Sequence, residues 1–138
     1  MAVRTRRLLG RAMLVSTVAF TCTLAGFVPD ADAAVRTLAI SQPGGTGKYG
    51  AGCTYTLTAK VTNDNTVTFS VRQPTRLANG KLLRFTFDVV PRGHVAIFHW
   101  SPVVEGHFVL GARQGGIWKL TGADVGRRLD LGSSCSGI

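Results

Sequence analysis

The sequence predicts an all-β protein, an antiparallel sandwich of about seven short strands. The strongest indication is residues 53–62, where apolar and polar residues alternate without a break, as in a strand with one buried and one wet side. Several shorter runs alternate in the same way, and glycine, proline or asparagine separates each from the next. No stretch carries the apolar spacing of an amphipathic helix, so a closed barrel is the main alternative to the sandwich. The inward side of this central strand holds Cys53, Tyr55, Leu57, Ala59 and Val61.

Residues 1–33 have the pattern of a cleavable signal peptide. Arginines lie at the start, residues 12–28 are mainly apolar, and Ala31-Asp32-Ala33 provides the small residues of a cleavage site. Hydroxyl side chains dilute the apolar run, which argues against a membrane span. The pair Arg6-Arg7 is compatible with twin-arginine export as well as with the general secretion route. We therefore expect residues 34–138 to be secreted or associated with the cell envelope, with no membrane span.

The predicted mature chain is one domain of ordinary size with a strongly basic surface. Residues 34–138 hold twelve of the sixteen Lys and Arg residues and five of the seven Asp and Glu residues, a net charge of +7. These cations are spread along the chain and form no nucleic-acid-binding motif, so nucleic acid is not an expected partner. The adjacent pair Arg127-Arg128 is the candidate contact for an anionic polymer or lipid.

Two cysteines, Cys53 and Cys135, remain in this domain. An even number of cysteines in an exported domain predicts a disulfide. Closing so long a loop should stabilise the fold by roughly 4 to 5 kcal/mol in the chain-entropy model. A structural metal site would need more cysteine or histidine ligands at short spacing, so neither a metal nor another cofactor is expected.

The first part of the domain is predicted as an edge strand, a loop and the central strand. Residues 35–40 form the edge strand, and the glycine-rich residues 42–48 form the loop. Gly47-Lys48 gives this loop a superficial likeness to a phosphate-binding loop, but Tyr49 stands where that motif has Ser or Thr. After the central strand, Asn63-Asp64-Asn65 has the composition of a turn.

The second part of the domain continues with short strands. Asn79-Gly80 predicts a tight turn at the end of a looser segment, residues 72–81. Gly115-Gly116 predicts another break in the chain. The predicted strands are residues 67–71, 83–91, 94–100, 107–114, 117–120 and 127–131, the last leading to Cys135.

Three blocks of the sequence resemble bacterial immunoglobulin-like domains of small exported actinobacterial proteins. They are residues 53–59 (CTYTLTA) with Val67-Thr68-Phe69 behind them, residues 100–106 (WSPVVEG), and the closing Gly132-Ser133-Ser134-Cys135. The second block looks like the W-T-P-x-x-x-G turn that joins two strands in such domains. The resemblance covers most of residues 35–135 and implies an immunoglobulin-like sandwich with an adhesive, scaffold or ligand-binding role.

Two features depart from the pattern of these domains. Phe108 stands where they often carry a tyrosine or histidine, which removes the hydrogen bond of an aromatic hydroxyl at this corner. Residues 72–90 also differ from the usual pattern, and this leaves the strand order there open.

The residues predict no catalytic site, and the chain is expected not to be an enzyme. The acidic residues of the domain show no spacing that suggests two carboxylates at one substrate bond, and no G-x-S-x-G motif occurs. His94, His99 and His107 lie near one strand-to-strand corner but lack the spacing of metal ligands. We expect them to be surface or partly buried histidines.

One predicted strand, residues 94–100, is apolar on both sides. Its first face, with Ala96, Phe98 and Trp100, is expected to enter the core. The second is either an exposed interface or covered by residues 72–90. The candidate interface residues are Val95, Ile97, Val103, Val104 and Val109.

Three functions are compatible with these patterns. The leading hypothesis is a secreted, non-catalytic module for protein interaction or adhesion at the cell envelope, which docks to a protein partner or to another copy of itself through the candidate interface. The alternative is a cationic module that binds an anionic envelope polymer or lipid. An inhibitor of a secreted enzyme is the third.

Overall fold

The computed structural model describes residues 33–45, 47–131 and 134–138. The predicted signal peptide, residues 1–33, therefore lies outside the described residues except for Ala33. Every regular element in the described part is a strand, and no helix long and apolar enough to cross a membrane is found there. The strands are β1 (Val35–Ile40), β2 (Tyr49–Gly50), β3 (Tyr55–Val61), β4 (Val67–Arg76), β5 (Leu82–Val89), β6 (Val95–Trp100), β7 (Gly106–Arg113), β8 (Trp118–Gly126), β9 (Arg128–Leu131) and β10 (Ser134–Gly137).

The strands form separate sheets in a sandwich-like arrangement rather than one closed barrel. A three-stranded sheet has the order β1-β3-β6, and a five-stranded sheet has the order β2-β8-β7-β4-β5. All neighbouring strands in them run antiparallel except β2 and β8, which run parallel. β9 and β10 pair with each other, and a bridge from Lys48 to Gly137 connects β10 to the chain just before β2.

The core lies between the two larger sheets and follows the predicted alternation. β3 is the central strand of the three-stranded sheet, and its inward residues from Tyr55 to Val61 are at most 4% exposed. β4 and β7 supply the opposite wall through the inward side chains of Val67, Phe69, Val71, Phe108, Leu110 and Ala112. The prediction of an all-β fold with a buried face on residues 53–62 is therefore confirmed.

The strand boundaries differ from the predicted ones in two places. β4 continues to Arg76, through residues that were expected to be loose, because it pairs with β5 as far as Leu82. β8 continues to Gly126, because residues 118–125 pair with β7 along its whole length and Gly126 pairs with β2. The sequence predicted this strand only as residues 117–120, yet Ala123 and Val125 alternate inward as in any half-buried strand.

We expect Leu57→Ala to destabilise the domain by about 2 to 5 kcal/mol, because Leu57 is fully buried between the sheets. The matched control is Leu77→Ala, since Leu77 is 44% exposed in the turn after β4, and its cost should be below about 1 kcal/mol. Chemical denaturation of both variants measures the two changes. Equal losses would contradict the assignment of the inner face of β3.

Candidate functional site

A disulfide and a tyrosine hydroxyl connect the last strand to the core. Cys53 and Cys135 are bonded, with their Cα atoms 5.9 Å apart, which confirms the predicted pairing. The Tyr55 hydroxyl accepts a hydrogen bond from the Gly50 N–H at 2.6 Å and donates one to the Cys135 carbonyl at 3.4 Å. One side chain of β3 therefore contacts the backbone of both β2 and β10, which belong to two other sheets.

Aromatic rings pack around this connection. The Tyr49 and Tyr55 rings meet edge to face at 4.7 Å, and Trp100 lies 5.8 Å from each. Burial, and secondarily the neighbouring Tyr55, raises the pKa of Tyr49 above its usual value. Phe108 is fully buried and packs edge to face on Trp100, so this position supplies apolar contact where a hydroxyl is lacking.

The five candidate interface residues do not share one surface. Val95 and Ile97 face outward from the three-stranded sheet, and Ile97 is 50% exposed. Val109 faces outward from the five-stranded sheet, because its neighbours Phe108 and Leu110 point into the core. The expected Val95-Ile97-Val109 side therefore does not exist as a single patch, since the two strands belong to opposite layers of the sandwich.

The remaining two candidates, Val103 and Val104, lie in the loop after β6. Val103 is 73% exposed, whereas Val104 is partly buried and packs against the core. Pro102 between this loop and β6 is fully buried. Only Val103 of this loop is thus a freely displayed apolar side chain.

The sandwich is open between β5 and β6, and we call this region the open side. Phe85 and Phe87 pair with Val71 and Phe69, so they point toward the inner face of the five-stranded sheet. Each is nevertheless 42% exposed, because the opposite sheet ends at β6. From β6, the Phe98 ring reaches across to this region, where it stacks on Phe87 at 4.8 Å and on Phe69 at 5.4 Å.

The outer edge of β6 carries unpaired backbone groups. Arg92 and Val95 exchange two backbone hydrogen bonds, so the polar groups of Val95 point away from β3. Because this direction alternates along an antiparallel strand, the N–H and C=O groups of Ile97 and His99 point the same way. Neither residue has a backbone partner on that edge within the described ranges. A recess of ≈ 270 Å³ beside this edge is lined by Val89, Val90, Arg92, Val95 and Ile97.

The three histidines are not brought together. The Nδ1 atom of His99 lies 3.4 Å from the Thr56 hydroxyl. The backbone N–H of His94 donates a hydrogen bond to the Asp64 carboxylate. His107 pairs with Asp124 on the outer face of the other sheet, with Nδ1 2.6 Å from Oδ1. In the part of the chain that the structure describes, no group of three or more potential ligands could hold a metal ion.

The candidate anion contacts lie at the start of β9. Arg127 is exposed, and Arg128 places its Nε atom 2.7 Å from Asp130 Oδ1. This ion pair is more than half exposed, so it contributes little stability, but it partly neutralises the charge of Arg128.

A second cationic surface was missed by the sequence analysis. Arg72, Arg84 and Arg113 come from three different strands of the five-stranded sheet and converge near Trp118. They are distant in sequence, so only the strand pairing brings them together. An alternation of arginine with apolar residues on neighbouring strands is the signal that could have indicated this surface.

Comparison of the chain with models of known protein families, with curated proteins and with solved structures gives no match.

We expect Tyr55→Phe to destabilise the domain by about 1 to 3 kcal/mol, because the Gly50 N–H that it leaves behind is buried and loses its partner. Tyr49→Phe is the matched control, since the Tyr49 hydroxyl has no hydrogen bond within the described residues and phenylalanine keeps the ring contacts, so its cost should be only about a few tenths of a kcal/mol. Thermal unfolding of the oxidised protein measures the change in unfolding temperature of each variant. Equal changes would mean that the Tyr55 hydroxyl does not stabilise the positions of β2 and β10.

Proposed function

We propose that the chain is a secreted, non-catalytic, immunoglobulin-like module that binds a protein partner at the cell envelope through its open side. The observation that carries this proposal is the partial exposure of Phe85 and Phe87 on an inner sheet face, next to an unpaired strand edge. Inward-facing aromatic residues are normally covered, and exposed apolar surface beside a free edge is typical of interaction sites.

The strand order supports an immunoglobulin-like topology. In such domains, strands A, B and E belong to one sheet, and strands C, F and G to the other, with C′ added next to C in variable-type domains. The orders β1-β3-β6 and β8-β7-β4-β5 fit A-B-E and G-F-C-C′ in chain order. The disulfide departs from this scheme, because it connects the start of β3 to β10 instead of joining strands B and F.

The disulfide also supports the proposed location. Structural disulfides persist in oxidising compartments and are rare in the cytosol. Together with the signal-peptide pattern of residues 1–33, the Cys53–Cys135 bond favours export to the cell envelope or beyond.

The open side fits an extended strand of the partner. Such a strand can pair with the free N–H and C=O groups of Ile97 and His99, and its alternate side chains then fall over Phe85 and Phe87. β6 carries no charged residue that would oppose this pairing. Arg92 lines the recess beside β6, and the exposed Lys60 lies directly opposite Val95. These two cations favour a partner segment that is apolar at alternate positions and acidic at its flanks.

We expect Ile97→Asp to abolish most of the binding of a partner from the cell-envelope protein fraction, because the carboxylate replaces an apolar contact at the edge of β6 and would lose its hydration when the partner segment docks there. Ile117→Asp is the matched control, since Ile117 is 79% exposed and lies before β8, away from the open side. A pull-down with immobilised protein, repeated at increasing salt, measures retention of the same bound protein by each variant. Apolar docking should persist at high salt.

A second variant tests the backbone groups at the edge of β6 separately from the apolar side chain of Ile97. His99→Pro removes an N–H that faces away from β3, so the fold should tolerate it while strand addition is blocked. Steep salt dependence, with sensitivity to Arg127→Glu/Arg128→Glu and not to Ile97→Asp, would reject the proposal in favour of an anionic polymer. If the purified chain forms a dimer that Ile97→Asp disrupts, the strand comes from a second copy instead.

A further inference from the structure

The outer face of the five-stranded sheet contains a second recess, which is independent of the open side. It has a volume of ≈ 90 Å³ and is formed where β4, β5, β7 and β8 lie side by side. The residues that line it are Ser70, Arg72, Arg84, Val109, Trp118 and Leu120. We call this the arginine recess.

Trp118 forms one wall of the arginine recess, and two guanidinium groups pack against its ring. The Arg84 guanidinium carbon lies 4.8 Å from the centre of the Trp118 ring, and that of Arg113 lies 4.7 Å from it. Arg113 is the direct cross-strand neighbour of Trp118, whereas Arg84 reaches over β4 and β7 to contact the ring. These cation–π contacts fix the ring in place and hold one cationic side chain above the sheet.

The floor of the recess depends on small residues. A Cβ atom at Gly111 would lie 2.8 Å from Leu120 Cδ2, 2.8 Å from Ser70 Oγ and 3.2 Å from Trp118 Cε3. Any larger residue at position 111 would therefore fill the space between these side chains. The Ser70 hydroxyl is at the floor and makes no hydrogen bond within the described residues, so it is free to donate one.

The charges around the recess lack counter-ions. Arg72 and Arg84 stand directly opposite each other on β4 and β5, an arrangement of like charges that destabilises a sheet. Neither forms an ion pair within the described part of the chain. Two acidic residues share this face, but Asp88 accepts a hydrogen bond from Thr68 and Asp124 is paired with His107.

We propose that the arginine recess binds a phosphate group. A negative ligand between Arg72 and Arg84 replaces their repulsion with charge-assisted hydrogen bonds, and guanidinium groups match the oxygen atoms of a phosphate in pairs. The recess is small, at ≈ 90 Å³, which suits one compact oxyanion rather than a whole sugar or base.

A phosphate fits this set of donors better than a carboxylate. Inorganic phosphate and phosphate monoesters offer at least three non-bridging acceptor oxygens, enough for Arg72, Arg84 and the Ser70 hydroxyl together, whereas a carboxylate offers two. The exposed side chain of Leu120 lies beside the same site and provides apolar contact for the carbon chain of a phosphate monoester. A phosphodiester has two non-bridging oxygens, so these donors favour free phosphate or a small phosphate monoester over a phosphodiester polymer.

Titration calorimetry of the purified chain with inorganic phosphate, at low salt and without other oxyanions, tests the site. Arg72→Gln/Arg84→Gln should weaken binding by about tenfold or more, because it removes charge-assisted hydrogen bonds. The control Arg127→Gln/Arg128→Gln changes the net charge by the same amount at an exposed site and should leave the affinity within about twofold of the original, since long-range attraction alone is weak. Ser70→Ala should weaken binding without any change in charge.

Two further arms define the ligand. Acetate should bind much more weakly than phosphate, and equal affinity for both would overturn the assignment to phosphate. Poly(glycerol phosphate) should compete with inorganic phosphate only weakly, because each internal phosphate has two non-bridging oxygens, and competition per phosphate as strong as that of inorganic phosphate would overturn the assignment to a free or monoester phosphate. Equal losses in the two arginine pairs would mean that phosphate responds only to net charge, and this would overturn the proposal. No effect of Ser70→Ala would overturn the part of the proposal in which the Ser70 hydroxyl binds the ligand. A phosphate-dependent rise in the unfolding temperature, absent only in Arg72→Gln/Arg84→Gln, would support it.

Discussion

A three-stranded sheet cannot cover a five-stranded one, and this mismatch governs the rest of the structure. β1, β3 and β6 cover the middle of the larger sheet, where the inward residues of β4 and β7 are almost fully buried. The inner faces at the two ends of the larger sheet must then be covered by something else or remain exposed to water. The two ends differ in this respect, because one end is closed by other parts of the chain and the other end stays open.

At the β2 end, covalent and polar contacts replace the missing strand. The disulfide brings the β9–β10 hairpin against the start of β3, and the Tyr55 hydroxyl connects β2 to β10. Glycines allow the backbones to approach closely here, since a Cβ atom at Gly50 would overlap Ser136 and one at Gly126 would overlap Ile138. At the β5 end the described residues form no disulfide or tyrosine hydrogen bond of this kind, and the Phe98 ring reaches across to Phe87. The aromatic residues at this end are therefore available to a partner.

The sequence predicted those parts of the fold that depend on local alternation. Residues 53–62 showed their buried face directly, because a strand in the centre of a sheet has one apolar and one polar side. The continuation of β8 was missed, since Gly122 and Gly126 are weak strand formers in isolation. In the structure, position 122 leaves little room for a side chain, because a Cβ atom there would lie 2.9 Å from the His107 ring. Such a contact between strands leaves no mark in the local pattern.

The candidate sites required information that alternation does not contain. Alternation assigns Val95, Ile97 and Val109 to outward faces, but it does not say that β6 and β7 belong to opposite sheets. The same limit hid the arginine recess, where the pairings Arg72–Arg84 and Arg72–Val109 bring together residues from three strands. Strand register, set by turns and by long-range packing, determines which outward residues become neighbours.

The placement of the two proposed surfaces makes them independent of each other. The open side faces the gap beside β6, whereas the arginine recess lies on the outer face of the opposite layer. A strand added at β6 would not block the recess, and a bound phosphate would not cover Phe85 or Phe87. The two also depend on different forces, since apolar burial persists at high salt while attraction between guanidinium and phosphate groups is screened. The two proposed surfaces would therefore allow one domain to bind a protein partner and a phosphate-bearing ligand at the same time, on opposite sides of a single buried core.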